Sequence, residues 1–447
     1  MPAQFAPINP MFTLNDNFPL RDQDASNALG LGEMPRHRWY FVKEGFSPKM
    51  IEQAVATDGV HQGDLLLDPF SGSGTVPLAG ALAGLRAQAF EINPFLHFLS
   101  ATKLSRCSAS VFRQASRKVL RAAEGQLVSH LEGYSTFTEG NRWGRWLFPT
   151  RVLRSFEAGQ RAAACADTET RSLLQLALLG AAMDCCNATR DGKCLRYKKH
   201  WSGHEATASQ FRFRLESRAN EIAADLDAAP ISGKASKVKL GDARVLVASA
   251  TREKFRLCVT SPPYLNSFDY SDVYRPELFL AGFVDSNDSL MKIRLKTVRS
   301  HVQASWEMPI NDDFGVLYKD CISTIRESPE VLWSGKLPAM VQAYFEDMEK
   351  ILRGLRKRAL DNGSLWLVVS TSAYGGIEIP VDLILAEIGQ RSGWFLREVG
   401  VLRYLRSSSQ HFKHVDDAAR ASVPLRESVV IFDATQRRKK GRAKTTA

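Results

Sequence analysis

Short, continuous apolar runs alternate with helix-spaced apolar residues along most of the chain. Strand signals centre near residues 65, 87, 237, 256, 365, 398 and 429, and most of them are such runs. Uninterrupted apolar runs are typical of strands buried on both faces of a parallel sheet, and the helical stretches between them are typical of crossover connections. The pattern predicts an α/β fold with a seven-stranded sheet whose last two strands form a closing pair.

One interval in this pattern is much longer than the others. Helix-spaced segments separate the strand near 87 from the strand near 237, whereas a βαβ connection needs only about a dozen residues. We therefore expect a large, mostly helical insertion. The predicted organisation is a flexible or loosely docked arm (1–33), the first part of the sheet domain (34–99), the insertion (100–235), the second part (236–433) and a basic disordered tail (434–447).

The charge balance indicates an anionic partner. The 447 residues carry a formal net charge of +11, and the pI is about 9.3. A basic chain favours nucleic acid, although ordinary solubility charge has the same sign. No apolar run is long enough to cross a membrane, no signal peptide is apparent, and the seven cysteines are scattered without a Cys-x-x-Cys pair. We expect a cytoplasmic protein with free thiols and no membrane contact.

A glycine-rich turn follows the first strong strand. The strand ends at Asp68, the chain turns through Gly72 and Gly74, and a helix and a second strand lead to Glu91. Strand, glycine turn, helix, strand and acid make half of a nucleotide-binding α/β unit. Glycine has no Cβ, so the backbone of the turn can approach a ligand closely. Glu91 stands where a carboxylate would hold a ribose diol.

The ligand of this turn is narrowed by what the turn lacks. A phosphate-binding P-loop needs a lysine after its last glycine, but Thr75 follows Gly74. The dinucleotide motif needs a third glycine three residues after Gly74, but that position is Pro77. Asp68 would repel a phosphate. It suits a cationic ligand such as S-adenosylmethionine, while a turn that only packs strand on helix remains open.

A second motif, Ser261-Pro262-Pro263-Tyr264, ends the strand near 256. Two prolines cannot continue the hydrogen-bonded ladder, so they fix a rigid turn with outward carbonyls. The Ser261 hydroxyl, the Pro262 carbonyl and the Tyr264 ring suit the exocyclic amine and the face of a planar base.

Together, Asp-Pro-Phe-Ser-Gly-Ser-Gly-Thr (68–75) and Ser-Pro-Pro-Tyr (261–264) resemble the amino-methylating DNA methyltransferases. The resemblance implies a seven-stranded Rossmann-like methyltransferase sheet with a reversed edge hairpin and S-adenosylmethionine as cofactor. It implies that Glu91 holds the cofactor ribose, that Asp242 holds its adenine, and that the second motif holds a flipped base. The cofactor-binding candidates are Asp68, Pro69, Phe70, Gly72, Gly74, Thr75, Glu91, Asn93 and Asp242; the catalytic candidates are Ser261, Pro262, Pro263 and Tyr264.

The insertion contains a basic loop at 187–201 in which Arg and Lys alternate with Tyr and Trp. This mixture suits a nucleic-acid strand through phosphate pairing and stacking, although a solvated surface loop is the plain alternative. Cysteines and histidines lie nearby, but their spacing matches no zinc pattern, so no metal is predicted. The nucleic-acid-binding candidates are Arg190, Lys193, Arg196, Lys198 and Lys199.

The sequence thus predicts an S-adenosylmethionine-dependent DNA methyltransferase acting on double-stranded DNA. The first residue of the second motif is serine, which by the resemblance favours cytosine N4. Adenine N6 stays open, as do an RNA base methyltransferase and a non-catalytic nucleic-acid-binding protein on the same scaffold. A cognate restriction enzyme is a conceivable further partner.

Overall fold

The strands and helices alternate as the apolar pattern predicts. The computed structural model describes residues 12–191, 194–203, 205–232, 236–249, 253–405 and 425–436. The strands are β1 (Leu14–Asn15), β2 (Leu65–Asp68), β3 (Arg86–Glu91), β4 (Ala188–Asp191), β5 (Cys194–Tyr197), β6 (Lys237–Leu240), β7 (Phe255–Thr260), β8 (Ala359–Ser370), β9 (Ser372–Tyr374), β10 (Ile377–Ile379), β11 (Phe395–Leu405) and β12 (Leu425–Asp433). The helices are α1 (Pro48–Asp58), α2 (Thr75–Leu82), α3 (Pro94–Lys103), α4 (Ala109–Ala122), α5 (Thr150–Ala163), α6 (Thr168–Asp184), α7 (Ala208–Ala228), α8 (Ala243–Ser249), α9 (Tyr270–Val273), α10 (Arg275–Leu280), α11 (Asn287–Leu295), α12 (Val316–Glu327), α13 (Leu337–Arg358) and α14 (Val381–Arg391).

The central sheet has the strand order β1-β11-β12-β8-β7-β2-β3-β6, eight strands within the described residues. The pairs among β6, β3, β2, β7 and β8 are parallel, and β12 lies antiparallel between β8 and β11. This is the predicted Rossmann-like sheet with a reversed edge hairpin, so the fold class is confirmed. All seven predicted strands are present.

Both faces of the central strands β2 and β7 are buried, as their continuous apolar runs require. Along β2, Leu66 joins the core under α1 and α2, while Leu65 and Leu67 join the core under α13 and α14. Successive side chains of a strand point to opposite faces, so one short strand contributes to two cores.

The eighth strand comes from the segment expected to be a flexible or loosely docked arm. Residues 14–15 pair in parallel with β11, and the buried Phe18 ring lies 6.1 Å from the Trp366 ring. Residues 12–33 therefore lie against the edge of the sheet. A two-residue strand without periodic pattern gives no signal in the sequence. Residues 1–11 and the basic tail from 437 lie outside the described residues.

The insertion shares one hydrophobic core with α3 and α10. Helices α4 to α7 pack around buried side chains that include Phe112, Phe156, Leu178 and Phe211. The basic stretch that the sequence predicts as a loop contains an antiparallel hairpin, with Ala188 opposite Tyr197. The insertion is thus mostly helical, with one short hairpin.

A buried carboxylate ties α1 to the far half of the sheet. Asp58 accepts hydrogen bonds from the Ser364 hydroxyl (2.7 Å), the Trp366 indole N–H (2.8 Å) and the Arg397 guanidinium (2.7 Å). Burial alone would raise the pKa of Asp58, but these hydrogen bonds and the Arg397 charge outweigh it and lower the pKa below its ordinary value. The ionised carboxylate is therefore the form that stabilises the fold.

We expect Asp58→Ala to lower the free energy of unfolding by about 3 kcal/mol, because it leaves two buried donors on β8 without an acceptor and removes one of the two carboxylates that pair with Arg397. The matched control is Glu52→Ala on the exposed face of α1, which should cost under about 0.5 kcal/mol. Urea denaturation measures both.

The sign of the pH dependence follows from the lowered pKa. The contribution of Asp58 is fully present above the ordinary carboxyl pKa and is lost as the pH falls through its folded value. Asp58→Ala should therefore lose less stability than the parent protein on acidification. Equal acid sensitivity, or equal losses for the two variants at neutral pH, would contradict this account.

Candidate active site

The two motifs leave the sheet side by side. Strands β2 and β7 are parallel neighbours, with Leu67 opposite Cys258. Their carboxyl ends therefore meet at one edge, and the Thr260 hydroxyl at the end of β7 donates to Asp68 at the end of β2 (2.7 Å). Clefts at the carboxyl ends of parallel strands are the usual ligand sites of open α/β sheets.

A cavity of about 350 Å³ lies between the two turns, a size suited to a small-molecule site. It brings together most residues of both predicted sets. The cofactor candidates that line it are Pro69, Phe70, Gly72, Thr75, Glu91, Asn93 and Asp242, and all four catalytic candidates, Ser261, Pro262, Pro263 and Tyr264, line it as well. Asp68 and Gly74 are not among the lining residues.

The two glycines of the first turn have different roles. Gly72 has a positive φ of 48° and donates its N–H to the Glu91 carboxylate (2.8 Å); a Cβ there would meet nothing closer than 4.0 Å. Gly74 also has a positive φ, 85°, but a Cβ there would lie 2.6 Å from the Ser100 hydroxyl oxygen. The sequence assigned both glycines to a ligand; Gly74 instead allows the turn to pack against α3.

Asp68 braces the two turns from behind. Its carboxylate accepts from Thr260 and from the Phe70 N–H (3.0 Å), and its second oxygen is buried without a hydrogen-bond partner among the described residues. Burial raises the pKa of Asp68 to about 7. We expected Asp68 to contact the cofactor; the structure places it under the turn.

Glu91 and Asn93 form the wall at the end of β3. The buried Glu91 carboxylate accepts from the N–H groups of Gly72 and Asn93 (2.9 Å), and burial raises its pKa. The Asn93 side-chain oxygen caps α3 by accepting from the Phe95 N–H (3.0 Å). Its buried amide nitrogen has no hydrogen-bond partner among the described residues, so a donor directed at a ligand is available here.

Asp242, at the end of β6, is already ion-paired. Its carboxylate accepts from the guanidinium of Arg244 (2.7 Å), which also reaches Asp347 (2.8 Å). The pair fixes the orientation of Asp242 at the cavity wall. The remaining lone pairs of its oxygens can still accept from a ligand amine.

The second turn carries a chain of hydroxyl groups. The Ser261 hydroxyl donates to the Tyr264 hydroxyl at 3.5 Å. Burial, and then the charge of Glu427, raise the pKa of Tyr264 well above its ordinary value. Tyr264 is therefore a neutral phenol throughout the working pH range, and its O–H can donate to the Glu427 carboxylate.

Glu427 is a lining residue that the sequence reasoning missed. It lies on β12, is 4% exposed, and is held by Arg403 of β11 and by the Ser26 hydroxyl (2.7 Å). These three residues come from separate parts of the chain and share no motif. The pairing of β11 with β12 sets Arg403 opposite Glu427, and the strand order β12-β8-β7 brings Glu427 to the edge of the sheet where Tyr264 follows β7.

The sequence motifs also gave no indication of a role for Lys103. It is fully buried at the end of α3, and its ammonium donates to the Ser73 carbonyl (3.1 Å). Burial lowers the pKa of Lys103 to about 7. The contact fixes the glycine turn from the side opposite the cavity.

The predicted nucleic-acid-binding residues separate into two groups. Arg190 forms a buried ion pair with Glu277 and lies over the ring of Tyr274 (4.7 Å), so it holds the hairpin against the sheet domain rather than facing a phosphate. Arg196, Lys198 and Lys199 are exposed. Lys193 lies outside the described residues.

The part of the chain that the structure describes contains neither a metal-binding cluster nor a membrane-spanning helix. No group of three or more His, Cys, Asp or Glu side chains is arranged to hold a metal ion. No helix in the described ranges has the length and apolar character that a membrane crossing needs.

The chain is similar to two methyltransferases over most of its length. It is 25% identical over 397 residues to the Type II methyltransferase M.AvaI of Nostoc sp. and of Anabaena variabilis. The aligned region covers 82% of this chain and 81% of each relative. It is 22% identical over 461 residues to the Type II methyltransferase M.BsoBI of Geobacillus stearothermophilus, spanning 89% of this chain and 85% of that one. No protein-family model matches.

Solved structures align only weakly. TrmN from Thermus thermophilus covers 86% of this chain and 48% of its own at 10% identity and a TM-score of 0.28. The rRNA methyltransferase aviRa from Streptomyces viridochromogenes covers 90% and 85% at 12% identity and the same TM-score. Alignments at this TM-score do not establish a shared function. The sequence relatives confirm the methyltransferase resemblance and, with it, S-adenosylmethionine as the methyl donor.

Alanine at the two glycines should separate packing from ligand approach. Gly74→Ala is expected to lose about 3 kcal/mol of unfolding free energy, because its Cβ would overlap Ser100 as well as adopt a left-handed φ. Gly72→Ala should cost only about 1 kcal/mol for the left-handed φ and should fold normally, with weakened S-adenosylmethionine binding. Urea denaturation and calorimetry measure the two effects, and equal destabilisation by both substitutions would contradict the assignment.

Proposed function

We propose that the protein is an S-adenosylmethionine-dependent DNA methyltransferase that methylates the exocyclic amine of a flipped base, with cytosine N4 as the target. The observation that carries the proposal is the single cavity shared by the glycine turn and the Ser-Pro-Pro-Tyr turn. The similarity to Type II methyltransferases supports it. We further propose that the protein is cytoplasmic and that a restriction enzyme of matching specificity is its partner.

The residues on the glycine-turn side fit the cofactor. Glu91 offers a buried carboxylate to the ribose hydroxyls, and Asn93 offers a donor that has no acceptor in the part of the chain that the structure describes. Asp242 offers acceptor oxygens at the far end of the wall. When bound, S-adenosylmethionine supplies a methyl group on a positively charged sulfur, which is an electrophile.

The residues on the other side fit an amine on a planar base. The lone pair of the cytosine amino group is delocalised into the ring, so the free amine is a poor nucleophile. Hydrogen bonds to Ser261 and to the Pro262 carbonyl would hold the amine so that its lone pair turns out of the ring plane. Positioning and electrostatic stabilisation then provide most of the rate, and no covalent intermediate with the protein is required.

The base must leave the helix to reach this cavity. Extrusion costs a few kcal/mol, and stacking against an aromatic side chain offsets part of that cost. Three aromatic residues that line the cavity, Tyr264, Phe268 and Tyr270, support such a stacking role.

Glu427 completes the chemistry by taking up a proton. When the new C–N bond forms and the C–S bond breaks, the amine nitrogen becomes cationic and must release a proton. The Ser261 hydroxyl donates to the Tyr264 hydroxyl, and Glu427 is near enough to Tyr264 to raise the pKa of its phenol. The proton passes from nitrogen to Ser261 as each hydroxyl hands its own proton onward, and the carboxylate ends as a carboxylic acid.

The identity of the methylated base tests the proposal directly. We expect incubation with S-adenosylmethionine and host double-stranded DNA, followed by nucleoside mass spectrometry, to yield N4-methylcytosine. N6-methyladenine would overturn the choice of base, and methylation of RNA alone would overturn DNA as substrate. A protein that neither binds S-adenosylmethionine nor transfers methyl groups would be a binding scaffold without catalysis.

The proton route predicts a specific loss in Glu427→Gln. The amide preserves the volume at β12 but accepts a proton poorly, so kcat should fall about 100-fold, a typical contribution of general acid–base catalysis. Binding of S-adenosylmethionine should be unchanged. Tyr264→Phe should show a similar loss because it breaks the chain of hydroxyl groups.

The matched control is Glu398→Gln. The Glu398 carboxylate on β11 accepts a hydrogen bond from the Asn15 side-chain amide (2.8 Å), and Glu398 does not line the cavity. It should leave kcat unchanged. An unchanged kcat in Glu427→Gln would rule out this route while leaving the methyl transfer itself intact.

A further inference from the structure

Two segments far apart in the sequence meet at one end of the insertion. The loop 141–147 precedes α5, and residues 187–191 and 194–203 follow α6 and contain the β4–β5 hairpin. The backbone N–H of Asn187 donates to the Leu147 carbonyl (2.7 Å), and its side-chain amide donates to the Trp146 carbonyl (3.1 Å). The loop and the hairpin are therefore one unit, which we call the insertion platform.

Aromatic rings and guanidinium groups alternate across this platform. The rings of Trp146 and Trp201 meet edge to face at 4.7 Å, and Trp201 lies 5.4 Å from Tyr197. Arg145 lies over the Tyr197 ring at 5.5 Å, and Arg142 lies over the Trp143 ring at 4.4 Å. These cation–π contacts keep the guanidinium groups beside the rings without neutralising their charge.

The part of the platform formed by residues 141–147 and 195–203 carries charge of one sign. Trp143 is 47% exposed, an unusual position for a ring of this size. The segments 141–147 and 195–203 contain no Asp or Glu. Its exposed basic side chains are Arg142, Arg145, Arg196, Lys198 and Lys199.

The platform is connected to the cavity through packed side chains. Arg190 of β4 lies over the Tyr274 ring, and the Tyr274 hydroxyl donates to Glu44 (2.8 Å). Tyr274 and Glu44 both line the cavity. A polyanion on the platform would therefore be held at a fixed position relative to the site where its base reacts.

We propose that the insertion platform binds the backbone of duplex DNA next to the extruded base, with its cations on phosphates and the Trp143 ring against an exposed base or sugar. The inference rests on the proposed function. Positive charge alone would suit any polyanion, but exposed rings between the cations suit a partner with flat aromatic faces and closely spaced phosphates. The loop 141–147 is the new element, since its role does not follow from the hairpin alone.

Binding of a fluorescein-labelled duplex, drawn from DNA that the protein methylates, tests the inference by anisotropy at several salt concentrations. Arg142→Gln combined with Arg145→Gln should weaken binding at least ~10-fold and lower the slope of log K against log salt by about 1.8, that is about 0.9 for each lost phosphate contact. Trp143→Ala should weaken binding about 5- to 100-fold with an unchanged slope, as loss of a stacking contact predicts.

Two controls match these changes in charge and ring size. Arg117→Gln combined with Lys118→Gln removes two exposed cations from α4, and Trp333→Ala removes a ring that is 40% exposed on another segment. Both controls should bind the duplex like the parent protein. All variants should bind S-adenosylmethionine with unchanged affinity by calorimetry.

The outcomes separate this inference from the proposed function. If the parent protein methylates the duplex and the platform variants bind it as tightly as the controls do, only the platform is overturned. If the parent protein neither binds nor methylates any duplex, the proposed function fails first. Equal weakening by the platform and control variants would show general charge attraction and would also overturn the platform.

Discussion

The structure depends on the parallel pairing of β2 with β7. This pairing fixes two turns, separated by almost two hundred residues of sequence, at one edge of the sheet, where Thr260 donates to the buried Asp68. A ladder of backbone hydrogen bonds is rigid on the scale of a reacting bond, so the two turns keep a constant separation. The cavity between them is a consequence of this pairing and needs no moving part to form.

The supports of the site lie behind it. Asp68, Ser100 and Lys103 hold the glycine turn from below, Arg244 fixes Asp242, and Arg403 with Ser26 fixes Glu427. Buried polar groups held by hydrogen bonds are well suited to this because their orientation is costly to change. At the cavity wall, the Asn93 amide nitrogen has no hydrogen-bond partner among the described residues, and a ligand could accept from it.

The sequence predicted the features that depend on local pattern. Apolar runs located all seven major strands, and two short motifs located both turns. It did not predict contacts made by side chains distant in sequence: Gly74 was assigned to a ligand because Ser100 is invisible from the motif, and Arg190 was assigned to a phosphate because Glu277 lies far along the chain. Glu427 and Arg403 belong to no motif, since strand pairings between distant segments set them opposite each other and bring them near Tyr264.

The central claim is that one cavity holds the methyl donor on one side and the target base on the other. A crystal structure of the protein with S-adenosylhomocysteine tests it most directly. We expect the ribose hydroxyls to lie at Glu91 and the sulfur to point at the turn from Ser261 to Tyr264. A ligand bound elsewhere, or one whose sulfur points away from that turn, would contradict it.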